Sequence, residues 1–377
     1  MSASGRPGYG DGPGWLVLRE GRTPRWGGEI RRRHVFARLA ARTGARIVED
    51  GWSDGGLRRA TLGPVAGRLP VALGRRVARS PRPRFAASEK LREAVLRSAV
   101  ALTDPAVVAV YDDPVAQAAT LGIGMDRDWL ATLASRQRQN VEAFRWLVVP
   151  TASFAELAGL PADRVIVGGN GTDTSVVRVG AWPSRPTIGV VSAAAPGRGL
   201  ELLVEAARQA RRELPDLQLR LWLVATNDDG RAYLDGLRAT VGLDPWIEIA
   251  TAAYERLGET LAEASALAIP HPPGAYMDVA LPVKLFDSLA AGRPLVVTPR
   301  RETAAIVAGL DVGVVAAGDA ASDFAAAITG LLADEPRTRA AGERARAAAE
   351  ASFDWRVVGD RIAEEVLQRE GGRQGSP

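Results

Sequence analysis

The chain has 377 residues, 46% apolar and 24% charged, with a net charge of +4, a balance ordinary for a globular protein of about two domains. It has no cysteine and only two histidines, His34 and His271, which excludes disulfides, thiolate chemistry and multi-histidine metal centres. No Gly-Lys-Ser/Thr phosphate loop, Gly-x-Ser-x-Gly elbow or His-Glu-x-x-His occurs, so the commonest signatures of NTPases, serine hydrolases and zinc proteases are missing.

Residues 1–14 are rich in Gly, Ser and Pro and lack the apolar stretch of a signal peptide. They are expected to form a disordered leader on a cytoplasmic protein. Residues 15–18 read as a strand, 29–43 as a helix ended by Gly44, and 46–49 as a second strand. A helix over 88–102 leads to a buried strand at 107–111. Pro114, behind Asp112 and Asp113, starts a helix over 114–121. A long helix over 127–145, a strand at 147–149, a helix over 152–157 behind Thr151 and a strand at 165–167 close the first half. Residues 174–186 are polar and broken by Pro183 and Pro186, which marks a linker.

The alternation then restarts. Strands are expected at 187–192, 219–225, 246–249, 267–270, 295–298 and 312–315. Helices are expected at 199–213, 231–241, 257–264, 282–291 and 302–308, and two more close the chain at 337–351 and 355–368. Strand and helix in strict turn predict parallel sheets covered on both faces. The fold class is therefore α/β, with two tandem Rossmann-like, doubly wound domains facing across a cleft. Ligands of such sheets sit outside the carboxyl ends of the strands.

The most informative segment runs from Pro282 to Thr298. Proline opens a helix of about three turns, and Gly292-Arg293-Pro294 then leads into a β-branched strand. Lys284 and Asp287 are three apart and share one helical face. Free N–H groups at the helix start favour an anion, Lys284 adds a mobile cation, and Asp287 can accept hydrogen bonds from a diol such as a ribose. A capped helix with a surface Lys–Asp pair accounts for the same pattern.

This segment resembles the donor-site motif of family-4-type retaining glycosyltransferases with the GT-B fold. The branch concerned reads Pro-x-Lys, an apolar residue, an aromatic, Glu, and later Ala-x-Gly-x-Pro. Val148-Val149-Pro150-Thr151 with Asn170-Gly171-Thr172-Asp173 is similar to the pair of motifs that precedes the family's interdomain linker. Gly197-Arg198-Gly199-Leu200-Glu201 resembles its phosphate turn, and Phe353-Asp354-Trp355 its signature before the final helix. The likeness covers roughly residues 146–368. It departs where the family's second acid is Asp287, where Val279 stands for the first acid with Asp278 beside it, and where Ser192 and Arg198 hold the places of an arginine and a lysine.

The resemblance implies transfer of a sugar from a nucleotide-diphosphate sugar to a hydroxyl acceptor, with retention, with no metal and no cofactor. Residues 15–178 would form the acceptor-side domain and 187–354 the donor domain. Residues 355–377 would hold a final helix that crosses back, followed by a disordered tail. Negative charge grows on the departing diphosphate, and fixed cations and N–H groups aimed at it supply the largest rate term. Arg198 and Lys284 are the catalytic candidates. The donor contacts would be Gly27, Gly28, Arg198, Gly199, Tyr254, His271, Asp278, Pro282, Val283, Lys284, Leu285 and Asp287. A non-catalytic scaffold derived from a transferase and a nucleotide-sugar epimerase of the same fold are the alternatives.

Other residues carry weaker signals. Gly27-Gly28 either lets a ligand approach the backbone or makes a tight turn. Arg31-Arg32-Arg33 opposes the helix dipole and reads as a solvated face, with His34 as a half-buried packing residue. His271 ends a strand at the cleft. Tyr254 could stack on a nucleotide base or serve as a lid aromatic. Asp126-Arg127-Asp128 matches a metal signature, but acids at a helix start are ordinary caps. Residues 55–88 hold eight arginines and no acid. They suit an anionic partner, namely a phospholipid surface at the inner membrane face, a polyprenyl-diphosphate acceptor or an acidic glycan, or simply form a basic loop; no nucleic-acid motif appears.

Overall fold

The computed structural model describes residues 15–20, 27–50, 84–86, 108–110, 141–142, 144–225 and 228–372. The helices expected at 88–102 and 114–121 and most of the one at 127–145 lie outside these residues. So do the leader, the Asp126–Asp128 motif and nearly all of the basic segment.

The first half contains strands β1 (Trp15–Glu20), β2 (Arg46–Asp50), β3 (Arg84–Ala86), β4 (Val108–Val110), β5 (Trp146–Val149) and β6 (Val165–Val167), with helices α1 (Gly27–Thr43) and α2 (Ala152–Leu157). All pairings are parallel, in the orders β2-β1-β3 and β4-β5-β6, and β3 lies beside β4. The expectation of a basic loop throughout 55–88 therefore needs correction. Arg84–Ala86 is a strand, and its Ala86 is buried in the core. Three residues, between Pro83 and Ala87, are too few for periodicity to reveal.

The second half is one six-stranded sheet. Its strands are β7 (Thr187–Ala193), β8 (Gln218–Val224), β9 (Ile247–Ala250), β10 (Ala266–Ile269), β11 (Leu295–Val297) and β12 (Gly313–Val315). The spatial order β12-β11-β10-β7-β8-β9 is wholly parallel, and it is the doubly wound order of a dinucleotide-binding sheet. The order in which the chain adds strands reverses between β7 and β10, which makes that gap the topological switch point.

Helices cover both faces. On one lie α3 (Leu200–Ala210), α4 (Asp228–Val241) and α9 (Ala321–Leu332), sharing a core with Leu203, Leu237, Phe324 and Ile328. On the other lie α5 (Leu257–Ala262), α7 (Val283–Ala290), α8 (Arg301–Gly309) and α10 (Glu335–Ala348), around Leu261, Phe286, Leu289, Val307 and Ala345. A short α6 (Ala275–Val279) precedes α7. Neither α6 nor α9 was expected from the sequence. Helix α9 escaped notice because its stretch is rich in Ala and Gly, yet Phe324, Ile328 and Leu331 recur at helical spacing and are all buried.

The last helix, α11 (Trp355–Gly372), lies along α1 of the first half. Trp355, Val358, Ile362 and Val366 share a core with Val17, Phe36 and Leu39. Arg38 binds Asp360 through Nε at 3.0 Å, and Arg42 binds Glu364 at 2.8 Å. Buried Glu370 accepts from Arg145 at 3.0 Å and from Trp146 Nε1 at 2.7 Å. Because α1 is covered by both the sheet and α11, Arg31 and Arg32 lie inside the protein and only Arg33 is exposed. This corrects the reading of all three as a solvated face. No described helix is long and apolar enough to cross a membrane.

Candidate functional site

The loops leaving β7 and β10 meet at the switch point. The β7 loop turns through Gly197 and Gly199, both at positive φ. A Cβ on Gly199 would stand 1.6 Å from the Pro270 carbonyl oxygen, so only glycine allows this approach. The turn thereby sets Arg198 against the Pro270-His271 segment at the end of β10. That segment is held from the other side by Thr298, at the end of β11, whose Oγ1 donates to the His271 carbonyl at 2.7 Å.

Helix α7 starts at the same edge. Pro282 is its N-cap rather than its first helical residue, with φ −73° and ψ 139°. The cap has no side-chain hydrogen bond, and no acid lies in the first turn, so the opening N–H groups lack a side-chain acceptor. The positive end of the dipole faces the same way. Lys284 stands in this first turn, half-buried. Burial, and then the nearby Arg198, lower its pKa to about 7. Burial also lowers the pKa of Arg198, whose Nε is buried with no hydrogen-bond partner. Two cations close enough to repel, with no acceptor from the described residues, are an arrangement that can accept an anion.

His271 is 1% exposed, and neither ring nitrogen has a partner. Burial, then Lys284, Arg198 and Arg300, push its pKa well below the ordinary histidine value. The ring is therefore neutral at physiological pH.

Asp287, one turn after Lys284, is buried, and its Oδ1 accepts from the Thr172 hydroxyl at 2.8 Å. Burial and the charge of Asp173 raise its pKa to about 7 against the opposing effect of the Thr172 bond. The sequence reading of Asp287 as an open acceptor for a diol thus holds for one oxygen at most. The surface Lys–Asp pair is also corrected, since the two line a small interior cavity with Val191 and Ser288.

Asp278, which stands beside Val279 on α6, binds Arg300 at 3.1 Å, and Arg300 also holds Asp319. Its carboxylate is therefore committed to a neighbouring guanidinium. The Val279 side chain is buried and its carbonyl accepts from Thr151 at 3.3 Å. Leu285 sits in the core, and its N–H is spent on the Pro282 carbonyl at 3.1 Å. Val283 is partly exposed at the helix start. Tyr254 lies in a short turn before α5, 38% exposed. Burial, then Asp287 and Asp173, raise its pKa. It borders an open cavity of about 500 Å³ shared with Arg178 and Glu259. Gly27 and Gly28 open α1 in the first half. His34, half-buried as expected, stacks on Trp355 with centroids 5.2 Å apart.

Three further residues shape the site: Asn170 and Thr172 were quoted from the sequence only as part of a motif, without a role, and Arg300 was not singled out. Thr172 holds Asp287, Arg300 holds Asp278, and Asn170 donates from Nδ2 to the Leu281 carbonyl just before α7. Asn170 and Thr172 stand in the Asn-Gly-Thr-Asp segment after β6, and a polar run at a strand end was the available signal.

A parallel six-stranded sheet with an anion-binding edge, set beside a second parallel α/β half, is the GT-B architecture of a glycosyltransferase. The comparisons agree. Residues 185–334 match the family described as Glycosyl transferases group 1. A mannosyltransferase of Mycolicibacterium smegmatis, described as GDP-mannose-dependent alpha-(1-6)-phosphatidylinositol monomannoside mannosyltransferase, is 26% identical over 347 residues. The match covers 90% of this chain and 82% of that one. Among solved structures, sucrose-phosphate synthase of Thermosynechococcus elongatus superposes with a TM-score of 0.66 at 15% identity, over 96% of this chain and 100% of that one. HepE of Anabaena, solved with UDP and glucose, gives 0.65 at 14% identity, over 94% and 100%. The chain is a glycosyltransferase with the GT-B fold. The comparisons do not favour the scaffold and epimerase alternatives.

Proposed function

We propose that the protein transfers a sugar from a nucleotide-diphosphate sugar to a hydroxyl acceptor, with retention of the anomeric configuration and without a metal. The observation that carries this reading is the pair Arg198 and Lys284, unpaired by any described residue, beside the free amides of α7 at the switch point of the donor-side sheet.

The chemistry follows from charge. Breaking the anomeric bond sends an electron pair to the diphosphate oxygen. Cations and N–H groups fixed before the reaction stabilise that growing charge with little reorganisation. Arg198 offers a planar fork to phosphate and Lys284 a point charge. Binding the diphosphate raises the pKa of Lys284, because an anion offsets both its desolvation and the Arg198 repulsion. Lys284 is then charged when the leaving group needs it. These cations do the neutralising work that a divalent ion does in other transferases.

Residues 187–354 are the proposed donor domain and 15–178 the acceptor side. An acceptor at an anionic membrane surface is supported by the eight arginines of residues 55–88 and by the lipid acceptor in the mycobacterial relative's name. The test is transfer or slow hydrolysis with a panel of UDP- and GDP-activated hexoses, with and without EDTA, reading the product anomer by NMR. Turnover that persists in EDTA, with the donor's configuration kept, is expected. Inversion, or loss of turnover in EDTA restored by a divalent ion, would overturn the corresponding part.

A further inference from the structure

His271 is buried with both ring nitrogens unpartnered among the described residues. An unmet hydrogen bond inside a protein costs roughly 1–3 kcal/mol, and this side chain leaves both of its ring nitrogens unmet. Nothing in its surroundings makes that arrangement accidental. Pro272 and Pro273 follow it directly, its carbonyl is fixed by Thr298 Oγ1, and the Gly199 turn is wedged against Pro270 immediately before it. The backbone is clamped on both sides, so the place of the residue is set before any ligand arrives.

The ring's chemistry narrows what it addresses. Lys284, Arg198 and Arg300 all act on it, and they oppose a fourth cation among them. An uncharged imidazole presents one N–H donor and one bare acceptor nitrogen on opposite sides. A phosphate oxygen accepts but does not donate, so the bare nitrogen has nothing to gain from it. The two neighbouring cations already supply donors for phosphate. A hydroxyl both donates and accepts, and adjacent hydroxyls on a sugar ring satisfy both edges together.

Building on the proposed donor chemistry, we propose that His271 is a specificity-determining residue that reads a hydroxyl of the transferred sugar through its two unpartnered ring nitrogens. A site built to hydrogen-bond a hydroxyl rejects the analogue that lacks it far more strongly than an apolar pocket does. His271 thus sorts donors by their hydroxyl pattern, while Arg198 and Lys284 bind whichever diphosphate is attached.

The test compares the native protein with His271→Phe, which keeps a planar ring and removes both polar edges, and His271→Gln, which keeps one donor and one acceptor. UDP and GDP are titrated first, then UDP-glucose and GDP-mannose, then the monodeoxy analogues of whichever sugar nucleotide binds. His271→Phe is expected to bind the nucleoside diphosphate within about twofold of native and the nucleotide sugar at least tenfold more weakly. The native protein is expected to discriminate at least tenfold against one deoxy donor, His271→Phe less than twofold, and His271→Gln in between. Without ligand, His271→Phe is expected to melt at or above the native temperature, because two unmet polar atoms are gone. Equal losses for the nucleoside diphosphate and the nucleotide sugar, or unchanged discrimination in His271→Phe, would overturn the inference alone. Should His271→Phe fail to fold, His271→Gln decides by the same comparison. If native protein binds neither UDP nor GDP, the donor reading falls and takes this inference with it.

Discussion

Two buried cationic centres in the second half of the molecule are built on opposite rules. Arg293 is fully buried, and its guanidinium donates to the carbonyls of Ala264 at 2.7 Å, Ala181 at 2.7 Å, Gly180 and Ala262 at 3.1 Å, and Ala291 at 3.4 Å. It also lies 4.4 Å over the Trp182 ring. Every guanidinium nitrogen is engaged, and the residue ties the segment after β6 to the end of α5. Arg198 and Lys284, at the switch point, have no such partners among the described residues. The charge of Arg293 is satisfied from within the fold, whereas those proposed to meet the donor diphosphate are left without an internal acceptor.

Substitutions that treat the two centres alike should separate them. The largest effect is expected from Arg293→Ala, which leaves several carbonyls and a tryptophan face without a partner. A loss of about 3 kcal/mol or more is expected, seen as a fall in melting temperature on the order of 5–10 °C. An unchanged melting curve would erase the contrast. Lys284→Ala should do the reverse, lowering turnover roughly 10²-fold or more while the melting temperature holds or rises, since a buried repulsion is relieved.

Thr172→Val sharpens the comparison at intermediate scale. It removes the hydrogen bond that holds the Asp287 pKa down, so the carboxyl titrates above its native value of about 7. If ionised Asp287 is the active form, the acidic limb of the rate profile moves to higher pH, with little change on the alkaline plateau. An unmoved limb would detach Asp287 from the reaction.

Stability against pH gives a further test away from the site. Asp354 accepts from Thr174 N at 3.2 Å and from Arg356 Nε at 2.8 Å. Although burial alone would raise its pKa, the hydrogen bonds from Arg356 and Thr174 prevail and lower it to about 2. The folded value is below the unfolded one, so its contribution is complete above about pH 4 and is lost as pH falls through 2. That contribution is on the order of 2 kcal/mol, and Asp354→Asn should flatten this part of the acid unfolding curve. The smallest effect is expected from Arg42→Ala, whose exposed pair with Glu364 should contribute under about 0.5 kcal/mol to the melting free energy.

The second half was the more legible in sequence because its strands are short, largely apolar runs between turn signals. β7, β8 and β11 fall within one or two residues of their expected bounds. Helix α9 was lost because its Ala and Gly residues dilute the periodic signal of Phe324 and Ile328. The turn carrying Arg198 and the helix start carrying Lys284 were visible because glycine and proline fix local geometry by themselves. The engagement of Asp287 by Thr172 spans 115 positions, and that of Asp278 by Arg300 spans 22. Local spacing carries no trace of either, since both arise from how separate elements meet.

The two halves are joined at adjacent points. Thr172 N donates to the Phe353 carbonyl and Trp355 N to the Thr172 carbonyl, each at 2.9 Å, which makes a single parallel bridge between Thr172 and Asp354. A Cβ on Gly171 would meet the Phe353 oxygen at 2.6 Å, so the outgoing and returning segments run shoulder to shoulder. A body hung on one thread swivels freely, but one hung on two neighbouring pins swings about a single axis and resists torsion. This pairing opposes twisting of one half against the other about a single strand of chain.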